Sequence, residues 1–242
     1  MKAMLFAAGI GSRLGKITEN TPKSLVEVGG KPMLEHVLLR LKEGGVKEVV
    51  INLFHLSEQI EAFLKSKEYF GIQVSFSKEQ ELLGTGGGLK HAAKYFAGSE
   101  SFFIYNCDIY CELDLNDLHQ FHKLKPAIAT LVTMKRETSR YLYFDESGAL
   151  QGWFNSESAQ SSLTPDTSTL SKLAFSGIHI ASPEIFKYME SESGNFSIIT
   201  AYLNAVKSGQ RVQCFNLIDQ YWIDMGKPES LEKLKSKFSS AK

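Results

Sequence analysis

In the first half of the chain, short apolar runs alternate with segments in which apolar residues recur at helical spacing, as expected for strands followed by helices. The continuous apolar run at 3–8 is typical of a strand covered on both faces, and the mostly apolar segments 49–53 and 102–105 also predict strands. Between the first two runs, apolar residues recur at helical spacing from Leu34 to Leu41. Because strands and helices alternate, the pattern predicts an α/β fold with a mixed, mostly parallel sheet between helical layers, the Rossmann-like three-layer arrangement.

The second half of the chain is less regular but still rich in short apolar runs. Segment 155–171 is rich in Ser and Thr and predicts a surface loop. No repeat or linker separates the halves, so we expect one domain over 1–242 with halves at 1–110 and 111–242. Further strands are predicted at 127–134, 141–144, 149–154, 173–180 and 212–217.

Composition and charge exclude several functional classes. The 242 residues include 43% hydrophobic residues, enough for a sizeable core, and 27 basic side chains balance 27 acidic ones. A chain without basic excess is not expected to bind nucleic acid or a membrane surface. Three cysteines lack zinc-site spacing, and no leader or membrane-spanning run is apparent, so we expect a cytoplasmic protein.

A glycine loop directly after the first strand carries the clearest chemical signal. Gly9 and Gly11 are followed by Arg13, and Lys23 comes soon afterwards behind a proline. Glycines let backbone amides approach phosphate oxygens, and the two cations can neutralise them. The sequence fits neither a Walker loop nor the dinucleotide fingerprint. It favours a triphosphate site.

Two aspartates follow predicted strands and indicate a metal. Asp108 comes after the run at 102–105, and Asp224 follows Trp222 and Ile223. Ligands in α/β sheets bind beyond the carboxyl ends of the strands, so Asp108 is expected on the same edge as the glycine loop. Carboxylates and phosphate oxygens suit Mg²⁺.

Taken together, these motifs resemble those of the sugar-1-phosphate nucleotidyltransferases. The similarity spans nearly the whole chain, in the family's order. It rests on the Ala-Ala-Gly loop with its Arg, the Pro-Lys pair, a second glycine loop at 81–88, Asn106-Cys107-Asp108, and 222–226. Cys107 departs from the family's usual Gly. The resemblance implies a nucleotide-binding half, 1–110, and a sugar-phosphate-binding half, 111–242.

The resemblance also implies roles for individual residues. Arg13 and Lys23 would be catalytic, and Asp108 and Asp224 would hold Mg²⁺. Asn106, Ser176 and Gly177 are candidates for the sugar. The nucleotide would be bound by Ala7, Ala8, Gly9, Gly11, Glu79, Gly86 and Gly87.

The expected partners are a nucleoside triphosphate and a sugar 1-phosphate, and the oligomeric state, monomer or dimer, stays open. The motifs favour UTP and an amino-sugar 1-phosphate. Alternatives are GTP or CTP with heptose or mannose phosphate or phosphocholine, or a catalytically silent nucleotide-sugar sensor.

Overall fold

The computed structural model describes residues 1–162 and 166–239, and in these ranges strands and helices alternate along the first half of the chain. The helices are α1 Met33–Glu43, α2 Ser57–Ser66, α3 Gly84–His91, α4 Leu115–Leu124, α5 Ile198–Lys207 and α6 Pro228–Ser239. The strands are β1 Lys2–Phe6, β2 Glu27–Val28, β3 Lys31–Pro32, β4 Glu48–Leu53, β5 Gln73–Lys78, β6 Phe102–Asn106, β7 Ile109–Cys111, β8 Ala129–Met134, β9 Arg140–Phe144, β10 Leu150–Asn155, β11 Gln160–Ser162, β12 Ser171–Ala181, β13 Val212–Asn216 and β14 Trp222–Asp224.

The chain divides into two units that do not coincide with consecutive halves. The first unit contains Met1–Leu82, Tyr105–Leu115 and the segment from Gln220 onward, and the second contains Leu83–Ile104 and Asn116–Asp219. The sheet is mixed and mostly parallel and has flanking helices, which confirms the predicted fold class.

In the first unit, the strand order is β1, β4 and β5. β1 pairs in parallel with β4, and β4 pairs in parallel with β5. The buried face of α1 carries Leu34, Val37, Leu38 and Leu41, as the helical spacing predicted. Gly44 follows the last residue of α1, where glycine commonly ends helices. Parallel pairing places the carboxyl ends of β1, β4 and β5 on one edge.

In the second unit, most pairings are antiparallel. β9 and β10, which match the strands predicted at 141–144 and 149–154, form an antiparallel hairpin. β12 pairs with both β8 and β9, whereas β13 joins β8 in parallel. The core includes stacked rings of Phe96 and Phe102 with centroids 4.1 Å apart, and Phe186 lies 5.9 Å from Phe102. Such ring pairs stabilise a core beyond the area that they bury.

The prediction of a surface loop at 155–171 is partly wrong. Gln160–Ser162 forms β11, which pairs antiparallel with β10. The pairing extends the hairpin because Asn155 lies opposite Gln160 and keeps the ladder in register. Residues 163–165 of this segment lie outside the described residues.

Candidate active site

The first glycine loop begins where β1 ends. Ala7 N–H donates to Oδ1 of Asn52 at 2.8 Å, which attaches the start of the loop to β4. Gly11 has a φ of +73°, a conformation that side chains rarely adopt, and its carbonyl accepts a hydrogen bond from Thr18 Oγ1 at 2.9 Å. A Cβ on Gly11 would lie 3.0 Å from Cβ of Lys23. The loop therefore lies directly against Lys23.

Lys23 forms an ion pair with Asp108. The lysine begins a short 3-10 turn, and its ammonium contacts Oδ2 of the aspartate. Asp108 lies just after β6, and Cys107 N–H donates to the Phe6 carbonyl at 3.0 Å. The ends of β1 and β6 are thus tied together beside the glycine loop. This contact joins two of the sequence-predicted site residues directly.

Arg13, Lys23 and Asp224 converge on Gly226. A Cβ built on this glycine would lie 2.7 Å from Arg13 Nη2, 2.8 Å from Asp224 Oδ1 and 3.2 Å from Lys23 Nζ. Gly226 N–H donates to Asp224 Oδ1 at 2.6 Å, which orients the carboxylate. The two cations and this acid therefore share one small region.

Pairing of β7 with β14 brings the second aspartate to the first. Asp224 lies opposite Ile109, the residue after Asp108, and Met225 N–H donates to the Asp108 carbonyl at 3.0 Å. Burial, followed by the charge of Asp108, raises the pKa of Asp224, whereas Lys23 and Arg13 act in the opposite direction. A carboxylate whose pKa is raised by burial and by a neighbouring acid is suited to a bound cation.

The chemistry of the two aspartates fits a hard divalent ion. Within 1–162 and 166–239, no group of three or more His, Cys, Asp or Glu side chains forms a complete protein-only metal site. Mg²⁺ usually takes one or two carboxylates and completes its shell with water and substrate phosphates. Asp108 and Asp224 supply the number and type of carboxylates that Mg²⁺ usually takes from a protein.

Glu79 lies at the end of β5 and is only 8% exposed. Its backbone N–H donates to the Leu53 carbonyl at 2.8 Å, and its Oε1 accepts a hydrogen bond from Asn52 Nδ2 at 2.7 Å. The same asparagine binds Ala7 N–H, so Glu79 is connected to the start of the glycine loop through one side chain.

The chain is similar to known proteins along almost its whole length. The sequence profile of the nucleotidyl transferase family matches residues 2–240. The protein belongs to this family. Mannose-1-phosphate guanyltransferase from Schizosaccharomyces pombe is 33% identical over 233 residues, 95% of this chain and 62% of the relative. UTP–glucose-1-phosphate uridylyltransferase from Synechocystis is 29% identical over 242 residues, 94% of this chain and 60% of the relative.

The chain therefore spans about three fifths of the length of these two nucleotidyl transferases. Among solved structures, UDP-glucose pyrophosphorylase complexed with UDP-glucose is similar with a TM-score of 0.79 and 18% identity, covering 100% of this chain and 99% of that one. This structural likeness supports the fold of the family. Among the described helices, none has the length and apolar character needed to span a bilayer.

The family's second glycine loop is largely helical in this protein, so the expectation of a loop at these glycines is wrong. Gly86 and Gly87 lie inside α3. A Cβ on Gly86 would lie 2.3 Å from the Phe196 ring, and one on Gly87 would lie 2.3 Å from the Gly194 carbonyl oxygen. The glycines allow α3 to approach the segment before α5. Their contact with a nucleotide stays a prediction.

The three sugar candidates lie in different environments. Asn106 is the half-buried last residue of β6. Ser176 is buried, and its Oγ accepts a hydrogen bond from Ile178 N–H at 3.2 Å. Gly177 has a φ of +85° where β12 shifts register against β8. The irregular strand gives Gly177 a structural reason to be glycine, and the sugar contacts remain predictions.

Sequence reasoning missed two residues that organise this site. Asn52 is a lone polar residue in the apolar run 49–53, a signal that could have marked it. Gly226 lies in the motif that identified Asp224, but its importance depends on Arg13 and Lys23, which are distant in sequence. Asn52 was therefore detectable from the sequence as a polar residue within a predicted strand, whereas Gly226 was not.

Proposed function

We propose that this protein transfers a nucleotidyl group from a nucleoside triphosphate to a sugar 1-phosphate and releases pyrophosphate. The observation that carries this proposal is the convergence of Arg13, Lys23 and Asp224 on Gly226, with Asp108 bound to Lys23. Oppositely charged groups beside a glycine loop suit a metal-bound polyphosphate. The family membership supports the same reaction class.

In this mechanism, a phosphate oxygen of the sugar 1-phosphate attacks the α-phosphorus in line, and the bond to the leaving pyrophosphate breaks. The attacking phosphate is already ionised, so the site has no need of a general base. Lys23 leaves Asp108 to neutralise the α-phosphate, and Arg13 stabilises charge on the departing pyrophosphate. Backbone groups of Ala7, Ala8 and Gly9 orient the nucleotide, with the carbonyl as the available group at Ala7 because its N–H is bonded to Asn52.

Asp108 and Asp224 would hold Mg²⁺, which supplies charge neutralisation between the reacting phosphates. Gly226 N–H keeps the Asp224 carboxylate oriented. The protein's own contribution is therefore to position acids and cations before substrate binds.

The sequence motifs favour UTP and an amino-sugar 1-phosphate such as N-acetylmuramic acid 1-phosphate. The Synechocystis relative, by its name, uses UTP, which supports the nucleotide. The names of the two relatives specify mannose and glucose 1-phosphate. The amino sugar therefore rests on the motifs alone, and both named sugars belong in the substrate panel.

GTP is the second candidate because of Glu79. A carboxylate only accepts hydrogen bonds. Guanine presents two adjacent donors, N1–H and its amino group, whereas uracil presents one donor between two carbonyl oxygens. A buried carboxylate at the base site would favour guanine, and the Schizosaccharomyces pombe relative is named a guanyltransferase.

The test is pyrophosphate release with UTP, GTP, CTP and dTTP, each combined with Mg²⁺ and a panel of sugar 1-phosphates and phosphocholine. Turnover with one nucleotide and one sugar phosphate supports the proposal and names the substrates. Binding of a nucleotide sugar without any turnover would favour the sensor instead.

The first mutational prediction concerns the two cations. Arg13→Ala or Lys23→Ala should remove about 2–4 kcal/mol of transition-state stabilisation, the scale of losing one preorganised donor. That loss corresponds to a fall in kcat/KM of about 30- to 1,000-fold. Lys16 is an exposed cation in the same 3-10 segment as Arg13, Ser12–Thr18, so Lys16→Ala is the matched control and should retain turnover. Near-normal kcat/KM in the first two variants would refute the assigned roles.

A further inference from the structure

The Asn52 side chain joins the ends of three neighbouring strands. It lies on β4, between β1 and β5, and is only 3% exposed. It contacts Ala7, the residue after β1, and Glu79, the residue after β5, at 2.8 and 2.7 Å. Buried amides are costly unless their hydrogen bonds are made, so both contacts constrain the side chain.

The two partners require a single orientation of the Asn52 amide. A backbone N–H can only donate, and a carboxylate can only accept. The amide oxygen must therefore face Ala7, and the amide nitrogen must face Glu79. Exchanging the two amide atoms would break both hydrogen bonds at once.

Glu79 is in turn held twice by β4. Its backbone N–H binds the Leu53 carbonyl, and its Oε1 accepts the hydrogen bond from Asn52. A hydrogen bond to a carboxylate is stronger than one between neutral groups. Rotation of the Glu79 carboxylate is thereby restricted before any ligand arrives.

We infer that Asn52 is a positioning residue for nucleoside recognition, holding the Glu79 carboxylate and the start of the glycine loop in one fixed arrangement. The inference rests on the proposed function, in which Ala7 and Glu79 contact the nucleoside. Preorganised contacts spare a ligand the entropic cost of ordering them. The asparagine would thus act on the affinity for the nucleotide and on the choice of base.

Asn52→Asp tests the effects on nucleotide affinity and on base choice with little change in the shape of the side chain. The new carboxylate still accepts Ala7 N–H but faces Glu79 with like charge and no donor. We expect KM for the preferred nucleotide to rise about tenfold or more while kcat stays within about threefold, the pattern of lost ground-state binding. The kcat/KM ratio between the preferred and the next nucleotide should fall as Glu79 becomes mobile.

Asn204→Asp provides a matched control in the second unit. Asn204 Nδ2 donates to Oε1 of Glu192 and to the Tyr188 carbonyl, both at 3.2 Å, so the substitution also sets a new acid against a glutamate. It should leave the nucleotide KM and the base preference as in the unmodified protein. Melting temperatures of both variants would show how much each change costs the fold.

The double variant Asn52→Asp with Glu79→Gln keeps the hydrogen bond from Ala7 N–H. It also restores the hydrogen bond between positions 52 and 79, with donor and acceptor exchanged. Asp at 52 accepts from Ala7 N–H and from the Gln side-chain amide. KM should recover for a base that offers both a donor and an acceptor, such as uracil. If Asn52→Asp does not fold, the double variant is compared with Glu79→Gln alone, in which Asn52 can still donate to the side chain at position 79. A nucleotide KM equal to that of Glu79→Gln supports the positioning role, and a folded double variant with a KM tenfold or more higher for all bases overturns it.

The two levels of failure are distinguishable. If the unmodified protein releases no pyrophosphate with any nucleotide and sugar phosphate, the proposed function fails. If it turns over and Asn52→Asp matches Asn204→Asp in KM and base preference, the positioning role of Asn52 is overturned while the proposed function stands.

Discussion

At the scale of single residues, the candidate site depends on a position with no side chain. The backbone of Gly226 does not have the positive φ that demands glycine, whereas its side-chain position would meet Arg13 and Asp224 at under 3 Å. The sequence motif predicted Asp224 because a carboxylate after a strand has recognisable chemistry. It did not predict the role of Gly226, because that role exists only after Arg13 is folded against it.

Gly226→Ala should therefore impair turnover more than stability. The added methyl group would displace the Arg13 guanidinium or the Asp224 carboxylate, and we expect kcat/KM to fall about 100-fold, as for loss of one preorganised group. Gly30→Ala is the contrasting control, because its φ of +81° makes the substitution strained. Within residues 1–162 and 166–239, the new methyl group would have no atom within 4 Å apart from its chain neighbours. That control should lose stability and keep its activity. An active Gly226→Ala protein would contradict the steric role.

At the scale of elements, α3 shows where local propensity and tertiary packing disagree. Three consecutive glycines disfavour a helix, which is why the sequence predicts a loop there. The helix forms because Thr85 Oγ1 accepts Ile198 N–H at 3.0 Å, and Gly86 N–H donates to the Phe196 carbonyl at 2.9 Å. Contacts made more than 100 residues away cannot be seen in a local pattern.

Gly87→Ala tests this packing explanation. Its new methyl group would meet the Gly194 carbonyl oxygen at 2.3 Å, and backbone yields less readily than a side chain. We expect the free energy of unfolding to fall by about 1–3 kcal/mol, the usual cost of overpacking, as measured by urea denaturation. Unchanged stability with a raised nucleotide KM would instead favour a direct binding role for Gly87.

At the scale of the whole molecule, the alternation of apolar runs was sufficient to predict the fold class. Strands such as β1 and β4 are mostly apolar segments, and their burial on both faces follows from that composition. The two units could not be predicted, because the first is assembled from three separate segments of chain. The buried hydrogen bond between His179 and Tyr202, which joins β12 to α5, could not be predicted from the sequence either.

The buried His179 should make global stability fall in mild acid. Burial lowers the pKa of His179 to about 3, while an unfolded histidine has a pKa of about 6.5. Between these values the unfolded state binds a proton that the folded state excludes, so stability decreases as pH falls. The contribution from pH 7 to pH 5 is about 2 kcal/mol. His122 acts in the same direction, because burial lowers its pKa to about 4.

Urea denaturation at pH 7 and pH 5 would measure this dependence. The loss of stability between the two pH values should be smaller by about 2 kcal/mol in His179→Gln than in the unmodified protein. His91→Gln, at an exposed position, is the control and should keep the original dependence. An identical pH dependence in all three proteins would refute the assignment to His179.

The ion pair between Lys23 and Asp108 affects which charged ligands can bind to the protein when its site holds no substrate. Each charged group already has a counterpart, so a lone cation must compete with the lysine and a lone anion must compete with the aspartate. A chelate that carries both signs replaces both partners in one event. We therefore expect the resting protein to ignore free ions and to select a metal–polyphosphate complex as a single entity.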